Sequence, residues 1–227
     1  MIDFDAIIFD FDGVLIESEF EGNRHLAELL TGLGHPTSVA EAIEHYTGLA
    51  GRDFVDAVER RIGRELPSEF HQATRALRDR SLSEGIAAVA GALRFVRGLP
   101  KSLPKAVASS SSTRWVRAHL AHLGLSDAFE PHVYSGAEHV ERGKPAPDLY
   151  LHAARELGTP IDRTVILEDS KVGATGALAS GATVIGLAAG RHCFDRHADM
   201  LRALGVAHVA HSFDEVAELL GLDQTSK

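Results

Sequence analysis

Four short polar segments carry most of the side chains in this chain that could do chemistry. They follow or lie near apolar runs that are typical of buried strands. Ligands of open parallel sheets bind outside the carboxyl ends of the strands, so we expect the four segments to converge. The segments are Asp10-Phe11-Asp12-Gly13, Ser109-Ser110-Ser111-Ser112, Gly143-Lys144-Pro145 and Glu168-Asp169-Ser170.

Converging carboxylates predict a site for a hard cation, and Mg²⁺ fits an all-oxygen site of this kind. Such a cation could bridge a phosphate oxygen to Asp10, while Lys144 and the Ser109 hydroxyl bind the remaining phosphate oxygens. The carboxylates expected to bind the metal are those of Asp10, Asp12, Glu168 and Asp169.

Asp10 is then placed to attack phosphorus and form an aspartyl-phosphate, which splits the displacement into two steps. Asp12 is placed to protonate the leaving alcohol and later to take a proton from the attacking water. Gly13 would let the chain turn sharply and bring backbone N–H groups toward the phosphate.

These motifs resemble the four motifs of the haloacid dehalogenase superfamily, in order and in spacing. The resemblance covers essentially the whole chain. The helical segment between the first two motifs is similar to the small helical cap domain of the β-phosphoglucomutase-like branch. It rests on Phe9-Asp10-Phe11-Asp12-Gly13-Val14-Leu15, Ser109, Gly143-Lys144-Pro145-Ala146-Pro147-Asp148 and Leu167-Glu168-Asp169-Ser170.

The resemblance implies a magnesium-dependent phosphatase or phosphomutase. It makes Asp10 the nucleophile and Asp12 the general acid/base, with Asp12 also a metal ligand through its carbonyl. The superfamily's true dehalogenases lack an aspartate at position 12, which argues against carbon–halogen cleavage. The implied phosphate ligands are Ser109, Ser110 and Lys144, and the implied metal ligands include Glu168 and Asp169.

Two departures weigh against a phosphomutase. The histidine and the cap arginine of the mutases are replaced by Gly22 and Gly51, although Arg52, Arg24 and His25 lie nearby. We therefore expect a phosphatase acting on a small phosphorylated metabolite, a sugar or sugar-acid phosphate. The alternatives are a phosphomutase and, from a different class, a non-catalytic metabolite sensor with the same fold. Glu17 also stands where the family more often has aspartate.

The order of elements predicts an α/β fold, a Rossmann-like doubly wound parallel sheet with an inserted small α-helical cap domain. We expect the core in residues 1–18 and 86–227 and the cap, of about four helices, in residues 19–85. Ser38-Val39-Ala40-Glu41 matches a capping box at the start of one cap helix. The predicted strands span 6–9, 105–108, 132–134, 164–167, 183–187 and 207–210, and the predicted core helices span 89–96, 113–123, 147–157, 172–180, 198–204 and 213–220.

Some of these residues also have purely structural interpretations. Ser111 and Ser112 are expected to cap the following helix rather than to bind phosphate. The spacing in His192-Cys193-x-x-x-His197 matches no common zinc pattern, so we expect a surface loop there. The tail 223–227 is expected to fray.

Charge and composition limit the partners. The formal net charge of −9 and the absence of a Lys/Arg run argue against nucleic-acid and membrane-surface binding. No apolar stretch is long enough to span a membrane. A single cysteine and an acidic start without signal-peptide features favour a cytoplasmic protein. We expect a monomer or weak homodimer that binds a small phosphorylated substrate.

Overall fold

The computed structural model describes residues 2–47, 49, 51–194 and 196–222. The chain divides into two compact units, with the breaks after Glu17 and after Gly85. The segment between the breaks is the helical unit, and the rest of the chain is the sheet unit. The tail 223–227, which the sequence predicts to fray, lies outside the described residues.

The described part of the helical unit contains four helices, as its apolar periodicity predicts. They are α1 (Ser18–Gly32), α2 (Val39–Tyr46), α3 (Gly51–Ile62) and α4 (Ser68–Glu84). Leu30, Val58 and Phe70 belong to the apolar cluster that these helices enclose. The predicted capping box is confirmed, because Ser38 Oγ accepts the Glu41 N–H at 3.2 Å and Glu41 Oε2 accepts the Ser38 N–H at 2.8 Å.

The sheet unit is built on six parallel strands. They are β1 (Ala6–Phe9), β2 (Lys105–Ser109), β3 (Val133–Ser135), β4 (Thr164–Glu168), β5 (Thr183–Leu187) and β6 (His208–Ala210). Their order in the sheet is β3-β2-β1-β4-β5-β6, so the first strand along the chain lies in the middle.

Helices cover both faces of this sheet. Ile7 and Phe9 of β1 join one buried apolar cluster and Ile8 joins a second, since alternate side chains of a strand point to opposite faces. This arrangement confirms the predicted doubly wound fold class. The helices are α5 (Ala92–Gly98), α6 (Thr113–Leu123), α7 (Ser126–Phe129), α8 (Gly136–His139), α9 (Asp148–Glu156), α10 (Lys171–Ser180), α11 (His197–Ala203) and α12 (Phe213–Leu220).

Three single-turn elements are not apparent from the sequence. Helices α7 and α8 have four residues each, and a 3-10 turn covers Ile161–Arg163. One turn is too short to show helical periodicity. Helix α5 begins at Ala92 rather than at Val89, because Gly91 before it has a left-handed φ of 84°. None of the described helices is long and apolar enough to cross a lipid bilayer.

Candidate active site

The sheet register brings the ends of three strands to one edge of the sheet unit. Phe9 of β1 is level with Val107 of β2 and with Leu167 of β4. Asp10 therefore leaves the sheet beside the ends of β2 and β4, where Ser109 and Glu168 lie. This is the carboxyl edge that the motif positions predict for a ligand site.

Lys144 is the centre of a buried ionic cluster at this edge. Its Nζ atom lies 2.5 Å from Asp10 Oδ1 and 2.8 Å from Glu168 Oε1. The exposed fractions of these side chains are 3% for Lys144, 9% for Asp10 and 0% for Glu168. A buried ammonium is tolerated only with partners of opposite charge, so Lys144 and the two carboxylates hold one another in place.

Glu168 uses both of its carboxylate oxygens within the protein. Besides Lys144, Oε1 accepts the Tyr150 hydroxyl at 2.9 Å. Oε2 accepts the N–H and the hydroxyl of Ser170, at 2.8 and 3.0 Å. The carboxylate lies against Gly173, where a Cβ would come within 1.5 Å of Oε1, so this turn of α10 requires glycine. Glu168 thus anchors Lys144 and the start of α10, and its role as a metal ligand stays a prediction.

Asp169 is held by a segment that follows β5. His192 Nε2 lies 2.8 Å from Asp169 Oδ2, and His197 Nε2 donates to the Asp169 carbonyl at 2.7 Å. Gly13, with φ +81°, lies so close that a Cβ there would be 2.1 Å from Oδ2, which confirms the predicted need for glycine in this turn. Asp169 Oδ1 is buried and has no hydrogen-bond partner among the described residues.

Asp12 is held by uncharged donors instead of a lysine. Ser111 Oγ donates to Asp12 Oδ2 at 2.7 Å, and Ser109 Oγ lies 3.3 Å from the same oxygen. The indole Nε1 of Trp115 donates to Asp12 Oδ1 at 3.1 Å. The predicted acid/base and the predicted phosphate ligand Ser109 are therefore within hydrogen-bond reach of each other.

The serine run after β2 divides its tasks differently from the expectation. Ser112 caps α6 by accepting the Trp115 N–H at 3.3 Å, as predicted. The prediction that Ser111 is a capping residue is wrong, because its hydroxyl binds Asp12. Ser110, a predicted phosphate ligand, is exposed to solvent.

The buried cluster is short of positive charge. Burial raises the pKa of Asp10 and Asp169 well above the ordinary value; the charge of Glu168 adds to both shifts, and Lys144 opposes them. Burial alone would lower the pKa of Lys144, but Asp10 and Glu168 outweigh it and leave that pKa well above its usual range. Three carboxylates thus share one ammonium.

The residues present fit a hard divalent cation. Carboxylate oxygens of Asp10, Glu168 and Asp169 all lie within 4.8 Å of one another, and all three residues are buried. A bound cation would satisfy the unpartnered Oδ1 of Asp169 and offset the excess negative charge. An all-oxygen donor set of this kind favours magnesium, calcium or manganese over softer metals.

The segment from His192 to His197 corrects a prediction. The predicted surface loop is only partly correct: Phe194 and Arg196 are exposed, but His192 is 2% exposed and both histidines bind Asp169. Their ring nitrogens and Cys193 Sγ lie within 4.8 Å of one another, but both Nε2 atoms are engaged with Asp169. Burial also raises the pKa of the Cys193 thiol.

Four residues that contact the site were not predicted to do so. They are Trp115, Tyr150, His192 and His197. The residue type of His192 and His197 was a weak signal, because histidine often binds a carboxylate, but their spacing does not show where the rings point. Trp115 and Tyr150 gave no such signal, because an aromatic residue in a helix is most often part of the core.

The doubly wound sheet and the buried acidic cluster at its carboxyl edge define an α/β enzyme of Rossmann-like type. A family model described as haloacid dehalogenase-like hydrolase matches residues 4–181. The chain therefore belongs to the haloacid dehalogenase-like hydrolases, and the resemblance inferred from its motifs is confirmed.

Relatives of known name agree with this assignment. Hexitol phosphatase A of Escherichia coli is 30% identical over 222 residues, covering 93% of this chain and 92% of that protein. The phosphorylated carbohydrates phosphatase of Thermotoga maritima is 30% identical over 185 residues, covering 78% and 82%. A HAD family hydrolase from Deinococcus radiodurans, solved with phosphate and sodium bound, has a TM-score of 0.84 at 31% identity, covering 96% of each chain. Relatives named as phosphatases support the prediction of a phosphatase.

Proposed function

We propose that this hydrolase is a Mg²⁺-dependent phosphatase of a small phosphorylated sugar or sugar acid, and that it acts through phosphorylated Asp10. The observation that carries the proposal is the buried cluster in which Asp10, Lys144 and Asp169 meet beside Ser109. Relatives named as phosphatases of hexitols and of phosphorylated carbohydrates support the substrate class.

Asp10, Glu168 and Asp169 would hold the metal, together with the carbonyl of Asp12. When bound, Mg²⁺ would neutralise negative charge on the carboxylates and on the phosphate. Lys144, which the cluster keeps charged, would bind a phosphate oxygen, and the Ser109 hydroxyl would bind another. These residues position phosphorus next to the Asp10 carboxylate.

The chemistry then needs two displacements at phosphorus. In the first, an Asp10 oxygen bonds to phosphorus, the ester P–O bond breaks, and Asp12 gives a proton to the departing alcohol oxygen. In the second, water attacks phosphorus and gives a proton to Asp12, and the bond between phosphorus and Asp10 breaks. The net reaction consumes one water and releases inorganic phosphate.

A phosphomutase would use the same first step and return the phosphoryl group to a second hydroxyl. Two of the three basic residues near the missing mutase positions are already paired within their own helices. Arg24 pairs with Glu21 and Glu28 of its own helix, and Arg52, exposed on α3, pairs with Asp56 at 2.8 Å. We therefore favour hydrolysis, and propose that residues 18–85 supply the substrate specificity.

The first experiment measures phosphate release from a panel of phosphorylated sugars and sugar acids, with and without Mg²⁺. Wild type is compared with Asp10→Asn and, as a matched control, with Asp162→Asn at an exposed aspartate. We expect Mg²⁺-dependent release that Asp10→Asn lowers more than about 10³-fold, while Asp162→Asn is unchanged.

Three results would contradict the proposal. Release that persists in Asp10→Asn would exclude Asp10 as the nucleophile. Release that is indifferent to chelation of Mg²⁺ would exclude the metal. In a coupled assay, conversion of a sugar 1-phosphate to its 6-phosphate faster than phosphate appears would favour the phosphomutase.

A further inference from the structure

Trp115 is bound to the predicted acid/base, and the proposed chemistry leaves this contact unexplained. It is the only tryptophan in the chain and lies half-buried on α6. Its Nε1 donates to Asp12 Oδ1 at 3.1 Å. The opposite carboxylate oxygen, Oδ2, lies 2.7 Å from Ser111 Oγ and 3.3 Å from Ser109 Oγ.

The indole is held firmly against its helix. Its ring packs on His119, with ring centroids 4.1 Å apart and an angle of 36° between the planes. His119 is fully buried, and its Nδ1 donates to the Trp115 carbonyl at 3.0 Å. Ser112 accepts the Trp115 backbone N–H at 3.3 Å. The Nε1 donor therefore has little freedom to follow Asp12 if that side chain moves.

The two oxygens of Asp12 face chemically different partners. An indole N–H can only donate, whereas a serine hydroxyl can donate or accept. While the contact to Trp115 persists, Oδ1 must be an unprotonated acceptor. A proton on this carboxyl group therefore belongs on Oδ2, where either serine hydroxyl can rotate to suit both protonation states.

We propose that Trp115 is a positioning residue that fixes Oδ2 of Asp12 as the oxygen that gives and takes the proton. The inference rests on the proposed function. As the ester P–O bond breaks, the proton leaves Oδ2 for the alcohol oxygen and its electron pair stays on the carboxylate. When water attacks phosphorus, a water proton returns to Oδ2. Oδ1 accepts the indole N–H throughout, and Ser109 places Oδ2 on the side of the phosphate.

The test varies the need for a proton on the leaving group. Glycerol 2-phosphate leaves as an alkoxide that must be protonated, whereas p-nitrophenyl phosphate leaves as a stable phenolate. Trp115→Phe keeps an aromatic ring for His119 and removes the N–H donor together with part of the indole ring system. We expect kcat/KM to fall about 10- to 100-fold for glycerol 2-phosphate and less than about 3-fold for p-nitrophenyl phosphate.

Two comparisons separate positioning from a structural effect. Ser112→Ala removes the cap that binds the Trp115 backbone but leaves Asp12 untouched, so it should change both esters by the same factor. Asp12→Asn should show a larger difference between the esters than Trp115→Phe. If Trp115 acts only through Asp12, the double variant should be no slower on glycerol 2-phosphate than Asp12→Asn alone.

Equal losses on both esters, or losses that multiply in the double variant, would overturn the inference. If Trp115→Phe does not fold by circular dichroism, Trp115→Leu is measured by the same criteria, since it also removes the donor and keeps an apolar side chain on α6. Wild type that hydrolyses neither of these esters nor any compound of the panel would overturn the proposed function itself. Active wild type with equal losses would overturn only the role of Trp115.

Discussion

The sheet unit and the helical unit differ in the kind of side chain they bury. The sheet unit buries several ionisable groups at one sheet edge, among them Asp10, Glu168, Asp169 and His192. In the described part of the helical unit the buried side chains are aliphatic or aromatic except Asn23, which donates to the Glu19 carbonyl and to Thr47 Oγ1.

Chemistry and stability compete in the sheet unit, because its site requires buried charge. A buried carboxylate must be partnered or neutralised, so the sheet unit tolerates its cluster only through Lys144, nearby hydroxyl and imidazole donors, and the proposed metal. The helical unit carries no comparable electrostatic burden among its described residues. Substitutions in the buried cluster of the sheet unit should therefore change activity and stability together. Substitutions in the helical unit should be able to change stability while activity stays the same.

Replacing Lys144 should have the largest combined effect on activity and stability. Lys144→Met removes the ammonium from Asp10 and Glu168, and we expect phosphate release to fall at least about 10²-fold. The loss of one member of a buried ion pair should also lower the free energy of unfolding by about 3–5 kcal/mol. Phosphate release and chemical denaturation, both at fixed Mg²⁺, measure the two effects.

Lys105 provides the matched control for this variant. It is also largely buried, but among the described residues its Nζ reaches only the Pro100 carbonyl, at 3.4 Å, and burial lowers its pKa. Lys105→Met should cost less than about 1 kcal/mol and leave activity intact. Similar losses in the two variants would show that the buried cluster is not special.

Replacing His192 tests the hold on Asp169. In His192→Ala the Oδ2 oxygen loses its partner at 2.8 Å, so the carboxylate can rotate away from the orientation that presents Oδ1. We expect Mg²⁺ binding, measured by titration calorimetry, to weaken about 10- to 100-fold. His192→Gln, whose amide can restore a donor, should recover part of that loss, and His211→Ala at an exposed histidine should show none. Unchanged Mg²⁺ affinity in His192→Ala would exclude this role.

The raised pKa of Asp10 predicts how the metal-free protein responds to pH. The folded chain keeps the Asp10 proton to higher pH than the unfolded chain, so this stabilising contribution is lost as pH rises through the raised pKa. Asp10→Asn cannot ionise. Without metal, the melting temperature of Asp10→Asn minus that of wild type should therefore be close to zero at about pH 4. The difference should become increasingly positive toward about pH 8.

Asp5 should show the opposite sign. Hydrogen bonds from Arg163 lower the pKa of this exposed carboxyl group, so its contribution is present above its ordinary pKa and is lost as pH falls. Asp5→Asn should therefore become less stable relative to wild type as pH rises. A flat difference for Asp10→Asn would show that the cluster does not raise the pKa of Asp10.

The sequence predicted which residues lie at the carboxyl edge of the sheet better than it predicted the hydrogen bonds between their side chains. A run of buried β1 residues ending at Asp10, and matching strand ends at Ser109 and Glu168, was enough to place these side chains at one edge, because the carboxyl ends of parallel strands lie at the same edge of a sheet. The fold class followed from the alternation of strands and helices.

The contacts of Trp115, Tyr150 and Ser111 could not be predicted in the same way. Each depends on the direction of one side chain from a helix or loop far along the chain from its carboxylate partner. No local pattern encodes such a direction. The inward turn of His192 was missed for the same reason, since it depends on the close approach of Gly13 and Gly190, where a Cβ would collide with Asp169 or with the His192 ring.

The smallest expected effect on stability comes from a substitution in the helical unit, and it tests whether stability can change there without a change in activity. Ser38→Ala removes the hydroxyl that caps α2, so the Glu41 N–H loses its acceptor and the unit should lose about 1 kcal/mol of stability. Activity at a temperature where the variant is folded should stay within about 2-fold, because the described residues that carry the proposed chemistry lie in the sheet unit. Ser68→Ala is the control, since Ser68 also begins a helix but its hydroxyl donates to the Glu69 side chain and caps no backbone N–H among the described residues. A fall in kcat of about 5-fold in Ser38→Ala, equivalent to the expected loss of about 1 kcal/mol, would show that the helical unit takes a direct part in the chemistry.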